Sequence, residues 1–132
     1  MFADGYYEWT ITEGVKRPIF IKPVSVNVAA FAGIWAQWRA PNRNIVSSYS
    51  IITTESNNDL NNAHHRMPVL ITPENCASWI SPQTPAEDTF QLLQSAASGT
   101  FTYHFVSNYV NSPRNEGPEC ILPAVSPTSV VG

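Results

Sequence analysis

Two short strings set a proton-transfer side chain beside groups able to grip a ligand: Ala3-Asp4-Gly5-Tyr6-Tyr7-Glu8-Trp9, and His64-His65-Arg66-Met67-Pro68. Glu8 lies between two aromatic residues, and a carboxyl buried among rings favours its neutral form, which suits general acid–base work near neutral pH. Histidine changes charge in the same range, and Arg66 stands beside it among the groups that can grip a ligand. Each residue also has a plainer reading. Glutamates on strands mostly face solvent, and a lone histidine next to Arg and Pro is more often a packing or capping residue than a catalyst. On residue type alone, both are only candidates.

Other chemistries fit the pattern less well. His64-His65 invites a metal reading, but neighbours on an extended chain point to opposite faces, His104 is remote in sequence, and no Asp, Glu or Cys cluster completes a ligand set. Neither a metal nor a cofactor is therefore expected. Gly-x-Ser-x-Gly is absent, as is a Gly-rich phosphate loop. Cys76 and Cys120 are too few for a disulfide framework and lack zinc spacing, so they read as buried or idle thiols. Tyr6, Trp9, Trp35 and Trp38 could stack on unpaired bases. For Trp35 and Trp38, three apart and just after Gly33, the expectation is instead that they pack a turn against a sheet.

Composition frames these residues. The chain is 43% hydrophobic, with four Trp, five Tyr and six Phe, which is ample for one globular core. The formal charge is −3 with seven Lys and Arg, so any hold on nucleic acid must come from a local groove rather than a diffuse field. No apolar run reaches the ~18–20 residues needed to span a bilayer, and the first residues do not resemble a secretory leader. No membrane partner is expected, and the cytoplasm is the expected location.

The elements that must position Glu8 and His64 are mostly strands. Short runs rich in β-branched and aromatic residues recur between turn signals, predicting strands near Gly5–Trp9, Pro18–Lys22, Val26–Gly33, Ser48–Thr54, Met67–Thr72 and Thr102–Val106. The imperfect alternation of Tyr49–Thr54 predicts a strand covered on both faces, inside a sheet. Two short helices are marked: one opened by Thr72-Pro73-Glu74, and one opened by the capping box Thr84-Pro85-Ala86-Glu87. The second is expected to carry Phe90, Leu93 and Ala97 on one face and to stop at Gly99. Asn57–Asn62 is a polar loop delivering the chain to His64, and the proline-rich stretch from Val110 runs as surface coil, with 123–132 expected as a flexible tail. The fold class is thus α+β, dominated by antiparallel strands with short peripheral helices.

The ordered motifs resemble the SOS response-associated peptidase (SRAP) family. Ala3–Trp9 resembles its strongest motif, followed by Phe31-Ala32-Gly33-Ile34-Trp35 and by Ser50–Thr54 leading to the histidine. His64-His65-Arg66-Met67-Pro68 is similar to the usual His-Asp-Arg-Met-Pro, with His65 in place of the aspartate. Val106-Ser107, Val110-Asn111 and Arg114–Glu119 extend the match over residues 1–122. The resemblance implies autopeptidase and lyase chemistry on abasic sites in single-stranded DNA. An N-terminal cysteine, freed by self-removal of the initiator Met, forms a thiazolidine crosslink through its thiol and α-amine. Glu8 would then be the proton-transfer carboxylate and His64 the aid to sugar-ring opening. Trp9, Thr53 and Arg66 would border the DNA.

Family members carry Met-Cys-Gly-Arg and several strands ahead of the Ala-Asp-Gly motif. The expectation is therefore of the C-terminal part of an SRAP domain, inactive alone. Its expected partners are abasic single-stranded DNA, a separate N-terminal segment, and further copies of itself through exposed edges. Two other readings stay open: a non-catalytic remnant or subunit that binds single strands, and a small-substrate hydrolase using Glu8 and His64.

Overall fold

A computed structural model describes residues 1–124. Its centre is an antiparallel sheet of β2 (Tyr6–Thr12), β3 (Val15–Pro23) and β10 (Phe101–Phe105), with β3 in the middle. Thr12 pairs with Val15 across a two-residue turn. Glu13 and Gly14 hold φ of 53° and 77° there, the double left-handed geometry that matches the twist of a tight hairpin. Because β3 is flanked on both edges, its Ile19, Phe20 and Ile21 are all buried.

A second sheet is formed by β1 (Phe2–Ala3), β4 (Ala29–Phe31) and β9 (Leu70–Ile71), in the order β1-β4-β9. Gly5 makes the switch between the sheets. A Cβ at that position would overlap the Phe20 ring and the Ile21 carbonyl, so only glycine lets the chain pass this close to β3. Two hairpins complete the strands: β5 (Gly33–Arg39) with β6 (Ile45–Ile51), and β7 (Thr53–Glu55) with β8 (Arg66–Pro68). They meet the second sheet at a three-way junction, where Ala32 N–H donates to Val69 O, Val69 N–H to Ile52 O and Ile52 N–H to Ala32 O, at 2.8–3.0 Å. Helices α1 (Pro73–Ile80) and α2 (Ala86–Gln91) lie at the periphery. Ile19, Ile21, Phe31, Leu60, Met67 and Phe101 form the main core, drawing on both sheets and the loop before His64.

The strand-dominated α+β class agrees with the sequence reading, and several details differ. Val26–Gly33 is not one strand, since β4 stops at Phe31 and β5 begins at Gly33. Trp35 and Trp38 lie in β5 and do not pack a turn against the sheet: they are 72% and 55% exposed. Tyr49–Ile51 ends an uncovered ribbon rather than an inner strand, with β6 exposed at every residue but Ile51. A sequence pattern apolar on both faces calls for cover on both faces, but does not say which chain supplies it.

The second helix starts a residue later than its capping box, with Pro85 at the N-cap position and no side-chain cap. It ends at Gln91, leaving Phe90 exposed and Leu92 and Leu93 against the core. Gly99, at φ 87°, turns the chain into β10 instead of stopping the helix. Beyond Val110 the coil contains short 3-10 turns at Asn108–Asn111 and Pro118–Cys120. At the start of the expected tail, Pro123 bridges Val106 and Ala124 N–H donates to Phe105 O at 2.8 Å. The rest of that tail, 125–132, lies outside the described residues.

Candidate functional site

Strand alternation decides which β2 side chains can act together. Tyr6, Glu8 and Thr10 share one face; Tyr7, Trp9 and Ile11 share the other. The rings that flank Glu8 in sequence therefore do not enclose it. Glu8 instead faces the loop that ends at His64, and its Oε2 lies 3.7 Å from His64 Nε2, each side chain 29% exposed.

That loop is held at several points. Leu60 is fully buried, and the N–H groups of Ala63 and His64 both donate to its carbonyl at 2.8 Å. Asn57 caps a local turn, its Oδ1 accepting from Asp59 N–H at 3.1 Å, while its amide donates to Ala96 O and Ala97 O at 3.2 and 2.9 Å. The Asp59 carboxylate accepts from Gly99 N–H at 2.8 Å and Phe101 N–H at 3.1 Å. Those backbone donors, Gly99 first, hold its carboxyl below the usual aspartate range. The loop is thus tied to the start of β10, and through β10 and β3 to the strand carrying Glu8. Sequence reading took Asn57 and Asp59 only as polar loop residues. Two Asx residues spaced two apart before a buried leucine were the available sign of an anchored turn.

The tautomer of His64 follows from its second nitrogen. Nδ1 lies 2.9 Å from Arg66 O and 3.3 Å from Arg66 N, contacts that require opposite roles of it in the neutral ring. The shorter contact assigns the proton to Nδ1, donating to the carbonyl, and leaves the Nε2 lone pair toward Glu8. A protonated Nε2 would face Oε2 at 3.7 Å, an ion-pair separation rather than a hydrogen bond. Glu8 and His64 form a pair able to take a proton from a substrate group and return it.

Arg66 and Thr53 are also brought together. Arg66 Nε donates to Thr53 Oγ1 at 2.8 Å and an Nη donates to Thr53 O, which orients the exposed guanidinium along β7. The Arg66 carbonyl also accepts from His64, so cation and imidazole share one local frame. Trp9 is not brought to them. Its indole N–H donates to Asn111 Oδ1 at 2.8 Å on the opposite face of β2, beside a cleft of about 380 Å3 that Tyr7 and Cys120 also line. His64 and His65 do not point apart as an extended pair would: they precede β8, and their rings lie 4.7 Å apart at 34°. No group of three metal-ligating side chains occurs among the described residues.

A larger cleft, about 440 Å3 and mostly apolar, lies away from Glu8 and His64, between Phe2, Val26, Val28, Ile71 and Cys76. The proton-transfer pair lines neither this cleft nor the one beside Trp9. Each of its two side chains is 29% exposed, so the pair is reachable from solvent. No helix among the described residues is long and apolar enough to cross a membrane.

Comparison with known proteins gives this geometry a context. Residues 1–113 match the model of the family described as SOS response associated peptidase (SRAP). The abasic site processing protein YoqW of Bacillus subtilis is 40% identical over 121 residues, covering 90% of this chain and 54% of that protein. The abasic site processing protein HMCES of Gallus gallus is 31% identical over 144 residues, covering 93% of this chain and 42% of its own length. A crystal structure of a Bacteroides thetaiotaomicron protein superposes with a TM-score of 0.84 at 23% identity, covering 95% of this chain and 56% of that one. The chain therefore spans about half the length of the relatives it matches. With the family model matched over most of its length, and with Glu8 and His64 side by side, the chain belongs to the SRAP family.

Proposed function

We propose that this chain supplies the proton-transfer half of a centre that processes abasic sites in single-stranded DNA. The observation that carries the reading is the approach of Glu8 Oε2 to His64 Nε2, 3.7 Å apart although the residues come from distant parts of the chain. The partial exposure of the pair and the orientation of Arg66 by Thr53 support it, as does the relatives' description as abasic site processing proteins.

The aldehyde of a ring-opened abasic sugar reacts with an N-terminal cysteine in two steps. The α-amine condenses with it to an imine, releasing water, and the thiol then adds across the imine carbon to close a thiazolidine. Each step moves protons, and so does opening of the sugar ring. In that role His64 moves a proton at the ring oxygen, and Glu8 exchanges protons with the amine. Arg66 contacts a flanking phosphate. The chain's own thiols, Cys76 and Cys120, are internal and have no free α-amine on the same residue, so neither can close a thiazolidine.

The test joins this chain to the portion of the B. subtilis relative that it does not match and measures crosslinking to an abasic oligonucleotide on denaturing gels. The joined protein should crosslink and the isolated chain should not. Glu8→Gln and His64→Ala should each slow the joined protein by roughly 10²-fold or more. A folded joined protein that is inactive, or that is indifferent to both substitutions, would overturn the reading.

A further inference from the structure

The β5–β6 ribbon is the longer of the two two-stranded sheets among the described residues, seven residues a side against three in β7–β8. Trp35 pairs with Tyr49 on one face, 72% and 70% exposed, above Gly33 and Ile51. On the other face Ile34, Ala36 and Trp38 lie opposite Ser50, Ser48 and Val46. Both faces thus carry large uncovered apolar side chains between polar ones, Gln37 and Ser47 on the first and Ser48 and Ser50 on the second, and among the described residues the ribbon pairs with no third strand on either edge. A two-stranded hairpin is marginal in water without a packed face, and large contiguous apolar patches mark contact surfaces. Beside its base lies a cleft of about 320 Å3 lined by Met1, Gly33, Ile34, Trp35, Tyr49 and Ile51, with almost no polar surface.

We infer that this ribbon is the seat of a complementing polypeptide: the part of an SRAP domain that the chain does not span, laid over both faces of β5–β6. This inference rests on the proposed function, because the same polypeptide would bring the nucleophile. The occupant is identified by length and fold. The Bacteroides structure superposes over 95% of this chain but only 56% of itself, and the B. subtilis relative is covered over 54% of its length. A little under half of each relative must therefore find a packing surface. Among the described residues the ribbon gathers three exposed aromatic side chains, Trp35, Trp38 and Tyr49, in one place. Charge agrees with a neutral, strand-forming partner, since the ribbon's only fixed charge is Arg39, at its far end next to the turn through Arg43. A second copy of this chain would meet one aromatic ribbon with another and leave the relatives' remaining length without a place.

Co-expression tests the seat without any DNA. The tagged chain is produced together with the unmatched portion of the B. subtilis relative, and copurification, affinity and amide exchange of residues 33–51 are measured. The two should copurify, the ribbon amides should gain protection, and Trp35→Ser with Trp38→Ser should weaken binding by about 100-fold or more, as loss of central aromatic anchors does. These side chains are exposed, so thermal melting of the isolated variant should match that of the unaltered chain, separating lost binding from lost folding.

Unchanged affinity in the double variant would overturn the inference even if crosslinking by the joined protein is restored. Copurification without ribbon protection would do the same. Self-association through Trp35 and Trp38 that excludes the added polypeptide would assign the ribbon to a second copy instead. Failure to copurify, with the same two parts folding when joined in one chain, would also overturn it. A tight, ribbon-dependent complex that never crosslinks DNA would leave the seat standing and remove the proposed function.

Discussion

The β3 strand and the β5–β6 ribbon are built from similar residues and meet opposite fates. Ile19, Phe20 and Ile21 are buried because β2 and β10 pair with both edges of β3 and the loop before His64 closes over it. Ile34, Trp35, Trp38 and Tyr49 are as apolar, yet stand in solvent. Hydrophobic pattern sets how much cover a strand needs, while its location in the chain settles whether that cover is at hand. Glu8 and His64 sit on the closed region. The two side chains are therefore held side by side by the packed part of the fold, while the ribbon leaves its aromatic side chains exposed.

The sharpest test of this contrast sets one core truncation against one ribbon truncation. Leu60→Ala removes a fully buried anchor and should cost about 2–5 kcal/mol, enough to loosen the Asn57–His64 loop. Trp35→Ser deletes a larger side chain but should change the isolated chain's stability by less than about 0.5 kcal/mol. Denaturant titration of the two variants measures both. Equal losses would show that the ribbon is already packed in the isolated chain.

The same division explains what the sequence made legible. The central strands and the start of α1 follow from local signals, since Thr72-Pro73 opens that helix, whereas α2 begins a residue after its capping box. Glu8 and His64 were found through motif resemblance, and their pairing needs the β2 face and the anchored loop together, which no single segment encodes. The exposure of Trp35 was illegible. A tryptophan on a strand apolar on both sides reads as core, and nothing local distinguishes a core shared with another segment from one complete in itself. Asp59 escaped notice because its partners, Gly99 and Phe101, are distant in sequence.

Asp59 allows a smaller test, on the seam between the closed region and the loop. Its carboxyl is held below the ordinary range by backbone donors, so the folded form prefers the ionised state. With the folded value depressed, its contribution is complete above the unfolded value near ~4 and is lost as pH falls through the folded value. Asp59→Asn should cost about 1 kcal/mol at neutral pH through weaker acceptance from Gly99 and Phe101 N–H. It should also flatten the acid limb of the melting temperature, bringing variant and parent together at the lowest pH. A gap that persists unchanged below that range would show that the carboxylate is not what ties the loop to β10.

Tyr6 gives the smallest effect and the finest probe of how complete the closed region is. Its ring packs edge-on against Phe31 and Phe101, with centroids 5.8 and 6.1 Å away, but its hydroxyl is buried with no hydrogen-bond partner among the described residues. Burial first, and then the Glu8 carboxylate, push the phenol well above the ordinary tyrosine range, so it stays neutral and adds no charge to the site. An orphaned buried hydroxyl costs roughly 1–3 kcal/mol in desolvation, whereas the ring contacts survive in phenylalanine. Tyr6→Phe should therefore leave stability unchanged or raise it by up to about 1 kcal/mol, read from parallel thermal melts. A loss of similar size would mean that the hydroxyl has a partner in solution. Glu8, on the same face of β2, would then be the first residue to examine, because a phenol donating to that carboxylate would bias which atom of the Glu8–His64 pair holds the proton.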